Sequence, residues 1–330
     1  MSLLLAADVG GTKTDLAVYD TAHGLGNAVV EATFASGKYS SFAQLLEDFL
    51  ADGKLRIDRA CFGVAGPVLD NRVRLTNLPW QIDGDEIAGK FAMGSVVVIN
   101  DLVALGSAIP FLQPDDVRVL HAGNRKEKGA VGVVAPGTGL GMAFLVWNGA
   151  KYQVCPSEGG HAGFAPGRDD AELFRFLQAQ NRAISIESLC SGQGLPNIYG
   201  FLRDSGLFPE PEWLKEELAG AHDPTPVIVA AAMDPLRKCH ICRETVRSFV
   251  GILADVCGNL ALTVVATGGM YIGGGIPPRI LPFLLEDDFH GRFAGRGKMS
   301  GLLADVPVAV IINSKAALLG AAAYGLGNDE

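Results

Sequence analysis

The sequence predicts an α/β fold built from two similar halves, and three observations support this prediction. Short β-like runs alternate with longer helix-like segments, glycines cluster where the apolar runs stop, and one strand–turn–strand pattern occurs twice. The chain of 330 residues is long enough for two domains. Hydrophobic residues make up 48% and charged residues 19%, a composition typical of a chain with a large buried core and not of a disordered one.

The repeated pattern is the first element of this fold. Leu3 to Asp20 has the pattern of a strand, a glycine turn and a second strand, and Val131 to Trp147 repeats that order. Two copies of one supersecondary unit predict two related halves that face each other across a cleft, each with its own glycine turn.

Other segments follow from their hydrophobic periodicity. Val96 to Ile99 is predicted as a strand, followed by a helix that begins near Leu102. Between Cys242 and Leu262 apolar residues recur at helical spacing, which predicts a helix with one buried face. Prolines and charged residues mix between Gly200 and Pro226, so this region is predicted as a surface loop with short helical pieces.

Charge and hydropathy exclude several classes of protein. The formal charge of −9 argues against a protein held to nucleic acid or to an anionic membrane by its overall charge. No apolar run approaches the roughly 20 residues that cross a bilayer, and Leu3 to Ala7 meets Asp8 too early for a secretory signal. We therefore expect a cytoplasmic protein that binds neither nucleic acid nor membrane.

The cysteines are too few and too scattered for a disulfide-stapled secreted domain, so free thiols are expected. Cys239 and Cys242 have CxxC spacing, which is half of a zinc motif. Because no second pair completes a zinc set, we expect a structural role for these two residues.

Both glycine turns differ from the phosphate-binding loops that lead into a helix. Gly10-Gly11-Thr12-Lys13-Thr14 lacks the spacing of a Walker A loop, and Gly137-Thr138-Gly139-Leu140-Gly141 lacks that of a GxGxxG motif. Strand-like residues follow each turn. The sequence therefore predicts two β-hairpin turns with bare backbone amides.

Bare amides in a tight glycine turn form an anion site, to which a threonine hydroxyl adds a donor, and phosphate is the natural ligand. Asp8 ends the first strand, where a carboxylate beside phosphates would hold Mg²⁺ through water. Taken alone, Asp8-Val9-Gly10-Gly11 is also consistent with an ordinary hairpin turn.

Asn100 and Asp101 follow the predicted strand at Val96 to Ile99. Polar groups at the carboxyl end of a buried parallel strand face the crevice in which α/β proteins bind ligands. The alternative for Asp101 is that it only caps the following helix.

Three further side chains are candidates for binding a polyol. Glu158 and His161 lie in one glycine-containing loop, and Glu187 follows alternating apolar residues. Carboxylates accept hydrogen bonds from hydroxyls and imidazole can donate or accept, although a Glu–His pair is also a common local hydrogen bond. The glycines at 273–275 offer a flat surface for a purine or ribose, or else mark a tight strand crossing.

Taken together, the motifs resemble those of the bacterial glucokinases, in order and in spacing. The residues that carry the resemblance are Asp8-Val9-Gly10-Gly11-Thr12, Thr76-Asn77-Leu78-Pro79-Trp80, Ile99-Asn100-Asp101, Gly137-Thr138-Gly139-Leu140-Gly141, Glu158-Gly159-Gly160-His161, Glu187-Ser188-Leu189-Cys190-Ser191-Gly192 and Ile272-Gly273-Gly274-Gly275-Ile276. That family belongs to the larger group of actin-like, Hsp70 and sugar kinase ATPases. The similarity extends from Leu3 to about Leu319.

The resemblance implies a two-domain, actin-like (ribonuclease H-like) ATPase fold with the active site in a cleft between the lobes. Residues 1–110 and 300–330 would form a smaller α/β domain with the first phosphate turn. Residues 111–299 would form a larger one with the second turn, the sugar loop and the adenosine region. The family also suggests a homodimer.

It further implies ATP-dependent phosphorylation of D-glucose to glucose 6-phosphate, which feeds glycolysis, with Mg²⁺ as cofactor. Asp101 would be the general base. Glucose would be bound by Asn77, Asn100, Asp101, Glu158, His161 and Glu187. ATP would be bound by Asp8, Gly10, Gly11, Thr12, Lys13, Gly137, Thr138, Gly139, Gly273, Gly274 and Gly275, with Mg²⁺ held at Asp8 through water.

Two alternatives remain at this point. A kinase for fructose, mannose or an N-acetylhexosamine would keep the phosphate motifs and differ around Glu158, His161 and Glu187. A non-catalytic sugar-sensing regulator would lack a competent base.

Lys13 stands where many bacterial glucokinases carry Asn, and it is usual in the related repressor/open-reading-frame/kinase group. That group has a cysteine-rich zinc loop after its Glu-x-Gly-His, and no cysteine lies between His161 and Cys190 here.

Overall fold

The computed structural model describes residues 2–51, 55–75, 77–167, 169–180, 183–286 and 288–327. Thr76 of the predicted Thr-Asn-x-x-Trp element lies outside them. The strands are β1 Leu3–Val9, β2 Lys13–Asp20, β3 Val30–Ala35, β4 Arg59–Val64, β5 Arg72–Arg74, β6 Gln81–Asp83, β7 Ser95–Asn100, β8 Val117–His121, β9 Val131–Pro136, β10 Leu140–Trp147, β11 Tyr152–Ser157, β12 Gly269–Ile272 and β13 Val308–Ile311.

The α-helices alternate with these strands and complete the predicted α/β pattern. They are α1 Phe42–Leu50, α2 Gly84–Phe91, α3 Asp101–Ala108, α4 Ala171–Gln178, α5 Gly194–Asp204, α6 Glu212–Gly220, α7 Pro224–Met233, α8 His240–Val264, α9 Leu281–Leu284, α10 Asp288–Ala294, α11 Ser300–Ala304 and α12 Ala316–Leu326.

Contacts divide the chain into two compact units. Unit 1 contains residues 1–116, 150–156 and 313–330, and unit 2 contains 117–149 and 157–312. The segment after residue 300 therefore joins unit 1 only from residue 313 onward, because β13 is hydrogen-bonded between β12 and β8 within unit 2. The assignment of domains with separate binding roles stays a prediction.

Unit 1 is built on a mixed sheet with the strand order β3-β2-β1-β4-β7. β1, β4 and β7 run parallel, so their carboxyl ends meet at one edge, where Val9, Val64 and Asn100 are in register. Alternate residues of β1 pack into two separate hydrophobic clusters. Leu3 and Leu5 belong to one cluster, and Leu4 and Ala6 belong to another, which includes residues of α3 and α12. Burial on both faces is typical of a central strand.

In unit 2, β9 pairs with β10 in an antiparallel hairpin and with β12 in parallel. β12 pairs in parallel with β13, which pairs antiparallel with β8. The two strand–glycine turn–strand segments predicted from the sequence are thus β1–β2 and β9–β10. In each unit, a glycine turn joins the two antiparallel strands of the hairpin.

Helix α8 confirms the prediction for Cys242 to Leu262 and extends it by a few residues at each end. By length and composition alone it could cross a membrane, but 72% of its most apolar stretch is buried inside the protein, where it packs in the unit 2 core. Cys239 occupies the N-cap position without a side-chain cap, and Cys242 lies in the first turn. A side-chain hydrogen bond with Cys242 lowers the pKa of the Cys239 thiol below its ordinary value.

The region from Gly200 to Pro226 is more helical than predicted. The end of α5, all of α6 and the start of α7 lie in it, and Leu214 is fully buried. The prolines do not break these helices, because Pro211 precedes α6 and Pro224 is the first residue of α7. Proline is favoured at that first position, where its fixed φ suits the helix and its missing N–H is not needed.

Candidate active site

The first glycine turn joins β1 to β2 and is closed by a hydrogen bond from the Gly10 amide to the Lys13 carbonyl at 3.0 Å. A Cβ at Gly10 would lie 2.9 Å from that carbonyl oxygen, so only glycine fits without a shift. Thr12 and Lys13 are exposed at the tip. The turn thus offers accessible amides and a hydroxyl, which suits an anionic ligand.

Two residues brace this turn from outside it. Ser36 Oγ donates to the Gly10 carbonyl at 2.8 Å, and its backbone amide donates to the Thr12 carbonyl at 3.0 Å. Asn77 packs against Gly11, where an added Cβ would lie 3.1 Å from that of Asn77. Asn77, predicted as a sugar ligand, is placed by the structure against the first glycine turn. Sequence reasoning missed Ser36, which lies between motifs.

Asp8 lies one residue before the end of β1, close to other charged groups. Burial, which is the largest cause, and the nearby carboxylates of Asp101 and Asp15 together raise the pKa of Asp8 to about 7, whereas Lys13 acts in the opposite direction. Asp15 is buried and pairs with Lys13 Nζ at 2.7 Å. Because the carboxylates outnumber the one lysine, a divalent cation would be stabilised here. The side chains present therefore fit Mg²⁺ near Asp8, although no cluster of three metal-binding side chains occurs among the described residues.

Asn100 and Asp101 lie at the carboxyl end of β7, on the same strand edge as Asp8. Asn100 Oδ1 caps α3 by accepting from the Leu102 amide at 2.9 Å, and its Nδ2 donates to the Gly66 carbonyl at 3.1 Å. Asp101 is the first residue of the helix, and its Oδ1 accepts from the same amide at 2.9 Å. The cap is thus Asn100, with Asp101 beside it. Asp101 and Asp8 lie at the same edge of the unit 1 sheet, because Val9, Val64 and Asn100 are in register there.

The cap on α3 gives a stability prediction that is independent of substrate. We expect Asn100→Ala to lower the free energy of unfolding by about 0.5–2 kcal/mol, because the Leu102 amide loses one of its two side-chain acceptors and the Gly66 carbonyl loses its donor. Asn100→Asp keeps the acceptor oxygen and should lose clearly less. Urea unfolding without sugar or nucleotide measures both. Equal stability of the alanine variant and wild type would contradict the capping role.

Unit 2 brings three separated segments of the sequence together around the second turn. The Gly137 amide donates to the Gly139 carbonyl at 2.8 Å, and the Gly192 amide donates to the Gly137 carbonyl at 2.7 Å. The glycines at 273–275 lie against the end of β9, since the Gly273 amide donates to the Val134 carbonyl at 2.9 Å. Gly274 has φ +85°, and a Cβ there would overlap the Pro136 carbonyl. The predicted adenosine region is therefore next to the predicted phosphate turn.

Glu158, His161 and Glu187 also lie together. His161 Nε2 is 3.8 Å from Glu158 Oε2, and His161 Nδ1 is 3.9 Å from Glu187 Oε1. The side chains of Glu158 and His161 are 74% and 64% exposed, whereas that of Glu187 is 23% exposed. These separations are longer than hydrogen bonds. They leave the polar atoms of Glu158 and His161 accessible to a hydroxylated ligand.

Comparison with known proteins decides the family. The sequence matches the model of the Glucokinase family over residues 5–327. The chain belongs to the glucokinase family. A glucokinase of Nostoc punctiforme is 36% identical in a match that covers 98% of each chain. The crystal structure of a glucokinase from an Antarctic psychrotroph has a TM-score of 0.84 at 32% identity and covers 98% of this chain and 99% of that one.

A more distant neighbour extends the comparison of folds. A ROK-family glucokinase of Streptomyces griseus, solved in complex with glucose and AMPPNP, has a TM-score of 0.66 at 20% identity and covers 98% of this chain and 99% of that one. The two-domain, actin-like ATPase fold predicted from the resemblance is that of the glucokinase and ROK sugar kinases and is confirmed.

Proposed function

We propose that this protein is an ATP-dependent glucokinase in which Asp101 is the general base. The γ-phosphoryl group of ATP would pass to the 6-hydroxyl of D-glucose, giving ADP and glucose 6-phosphate for glycolysis. The observation that carries the proposal is the strand register of unit 1: the ends of β1 and β7 meet at one sheet edge, which places Asp101 at the same edge as Asp8 and the first glycine turn. Membership of the glucokinase family supports the substrate.

Phosphoryl transfer depends on in-line positioning and on neutralising charge, because the protein takes little covalent part. Backbone amides of both turns, together with Thr12 and Thr138, would donate to the phosphate oxygens. Bound Mg²⁺ would supply positive charge beside them, held through water at Asp8. Lys13 adds a cation at the first turn, and the glycines at 273–275 would hold the adenosine.

On the sugar, Asp101 would hydrogen-bond the 6-hydroxyl and take its proton as that oxygen bonds to phosphorus. Asn100, Glu158, His161 and Glu187 would bind the remaining hydroxyls, since carboxylates accept and the amide and imidazole donate or accept. Asn77 would contribute from beside the first turn. Hydrogen bonds of this kind reject sugars that lack the matching hydroxyl.

An ADP-release assay with a panel of hexoses tests the proposal. With ATP and Mg²⁺, we expect glucose to give a higher kcat/KM than fructose, mannose or N-acetylglucosamine, and EDTA to abolish turnover. Donors other than ATP are compared in the same assay. Turnover of no hexose would favour the sugar-sensing regulator, and a higher kcat/KM for another hexose would favour a different sugar kinase.

We further propose that the protein is a homodimer, on the ground of the family resemblance, and that it is cytoplasmic, on the ground of the charge and hydropathy pattern of its sequence. Sedimentation equilibrium of the purified protein measures the oligomeric state, for which we expect twice the mass of the chain.

A further inference from the structure

The carboxylate of Glu187 contacts two loops of unit 2 at once. Its Oε2 accepts a hydrogen bond from the Leu140 amide at 2.7 Å, and its Oε1 lies 3.9 Å from His161 Nδ1. Leu140 directly follows the turn at 137–139, and His161 belongs to the loop proposed to bind sugar. One side chain therefore joins the two proposed ligand sites within a single unit.

The backbone around Glu187 reinforces this link. The Glu187 amide donates to the Gly160 carbonyl at 2.8 Å, which fastens it to the sugar loop. Gly139 makes room for the carboxylate, since a Cβ at that position would lie 2.5 Å from Glu187 Oε2. A hydrogen bond from an amide to a mostly enclosed carboxylate is charge-assisted and directional. The positions of the Glu187 carboxylate and of the Leu140 amide are therefore linked.

Glu158 provides the contrast. Its side chain is 74% exposed, and among the described residues its ion pair is with His161. Both glutamates are candidates to bind sugar hydroxyls, yet Glu187 is the one whose carboxylate holds the glycine turn. Variants of Glu158 and Glu187 therefore distinguish the loss of a sugar ligand from the loss of support for the glycine turn.

We propose that Glu187 positions the second glycine turn for the nucleotide, and that its two oxygens couple sugar binding to nucleotide binding. A sugar hydroxyl bound to Oε1 would restrict the movement of the carboxylate. The other oxygen, Oε2, accepts from the Leu140 amide and so holds the turn. The turn then loses less conformational freedom when phosphate binds, so nucleotide affinity rises. By linkage, nucleotide raises sugar affinity by the same factor. This inference rests on the proposed function and assigns Glu187 a positioning role beyond contact with sugar.

The test is calorimetric titration of Mg²⁺–AMPPNP, with and without saturating glucose, into wild type and variants. Wild type should bind AMPPNP at least about fivefold more tightly with glucose. Glu187→Ala should weaken AMPPNP binding by at least about fivefold even without glucose, because the amide loses its acceptor. Glu158→Ala, the matched control, should bind AMPPNP without glucose as wild type does while its glucose affinity falls.

Glu187→Gln gives a second readout should the alanine variant not fold. Glutamine can present its own oxygen to the Leu140 amide, so AMPPNP affinity without glucose should stay within about twofold of wild type. The enhancement by glucose should shrink, because the charge on the sugar side is gone. Wild-type AMPPNP affinity in Glu187→Ala, or an unchanged enhancement in Glu187→Gln, would overturn the inference. Failure of wild type to bind AMPPNP at all would instead overturn the proposed function on which it rests.

Discussion

Replacing Asp101 by Asn is expected to lower kcat about 10²- to 10⁴-fold while the protein stays folded and binds glucose. The amide has the same shape as the carboxylate, and its oxygen can still accept from the Leu102 amide. It cannot take the proton of the attacking hydroxyl. The loss should therefore fall on kcat, measured by ADP release, with glucose affinity followed by calorimetry.

Asp85→Asn is the matched control for this variant. Asp85 also lies in the first turn of a helix of unit 1, α2, and is exposed. A general effect of removing a negative charge near a helix N-terminus would appear in both variants. We expect wild-type kcat for Asp85→Asn. A near-normal kcat for Asp101→Asn would remove Asp101 from the role of base.

The second large effect is expected from Gly320→Ala, at the crossing of α12 and α3. A Cβ there would overlap the carbonyl oxygen of Ala104 and lie 2.9 Å from the Ala108 amide nitrogen. Backbone atoms cannot rotate away, so the two helices would have to separate. We expect a loss of about 1–3 kcal/mol in the free energy of unfolding, or more. Because Asp101 begins α3, kcat should fall as well.

Gly200→Ala distinguishes this clash from a general effect of substitution. Gly200 lies inside α5, and nothing lies within 4 Å of a Cβ built there. Alanine should stabilise this helix by up to about 1 kcal/mol. Urea unfolding of both variants measures the difference. Wild-type stability of Gly320→Ala would contradict the close approach of α3 and α12.

The local elements near the site were largely predictable from the sequence. The turns at 10–12 and 137–139 join strands as predicted, because glycines between two strand-like apolar runs are typical of a hairpin turn. β7 and α3 meet at Asn100 and Asp101, where the predicted strand end lies. Helix α8 follows from its apolar spacing, which one buried face imposes.

Contacts between distant segments could not be predicted in this way. Ser36 supports the first turn because β3 pairs with β2, and no local pattern around Ser36 indicates this. The contact of Glu187 with Leu140 joins residues that are 47 positions apart. The short helical pieces predicted between 200 and 226 could not be placed along the chain, because composition does not distinguish a proline that begins a helix, as Pro224 does, from one that breaks it.

A crystal structure of the protein with glucose and AMPPNP tests the central claim most directly. We predict an Asp101 carboxylate oxygen within hydrogen-bond distance of the glucose 6-hydroxyl, with the amides at 11–12 and 138–139 on the phosphates. Glucose bound with its 6-hydroxyl away from Asp101, or phosphates bound away from both glycine turns, would contradict it.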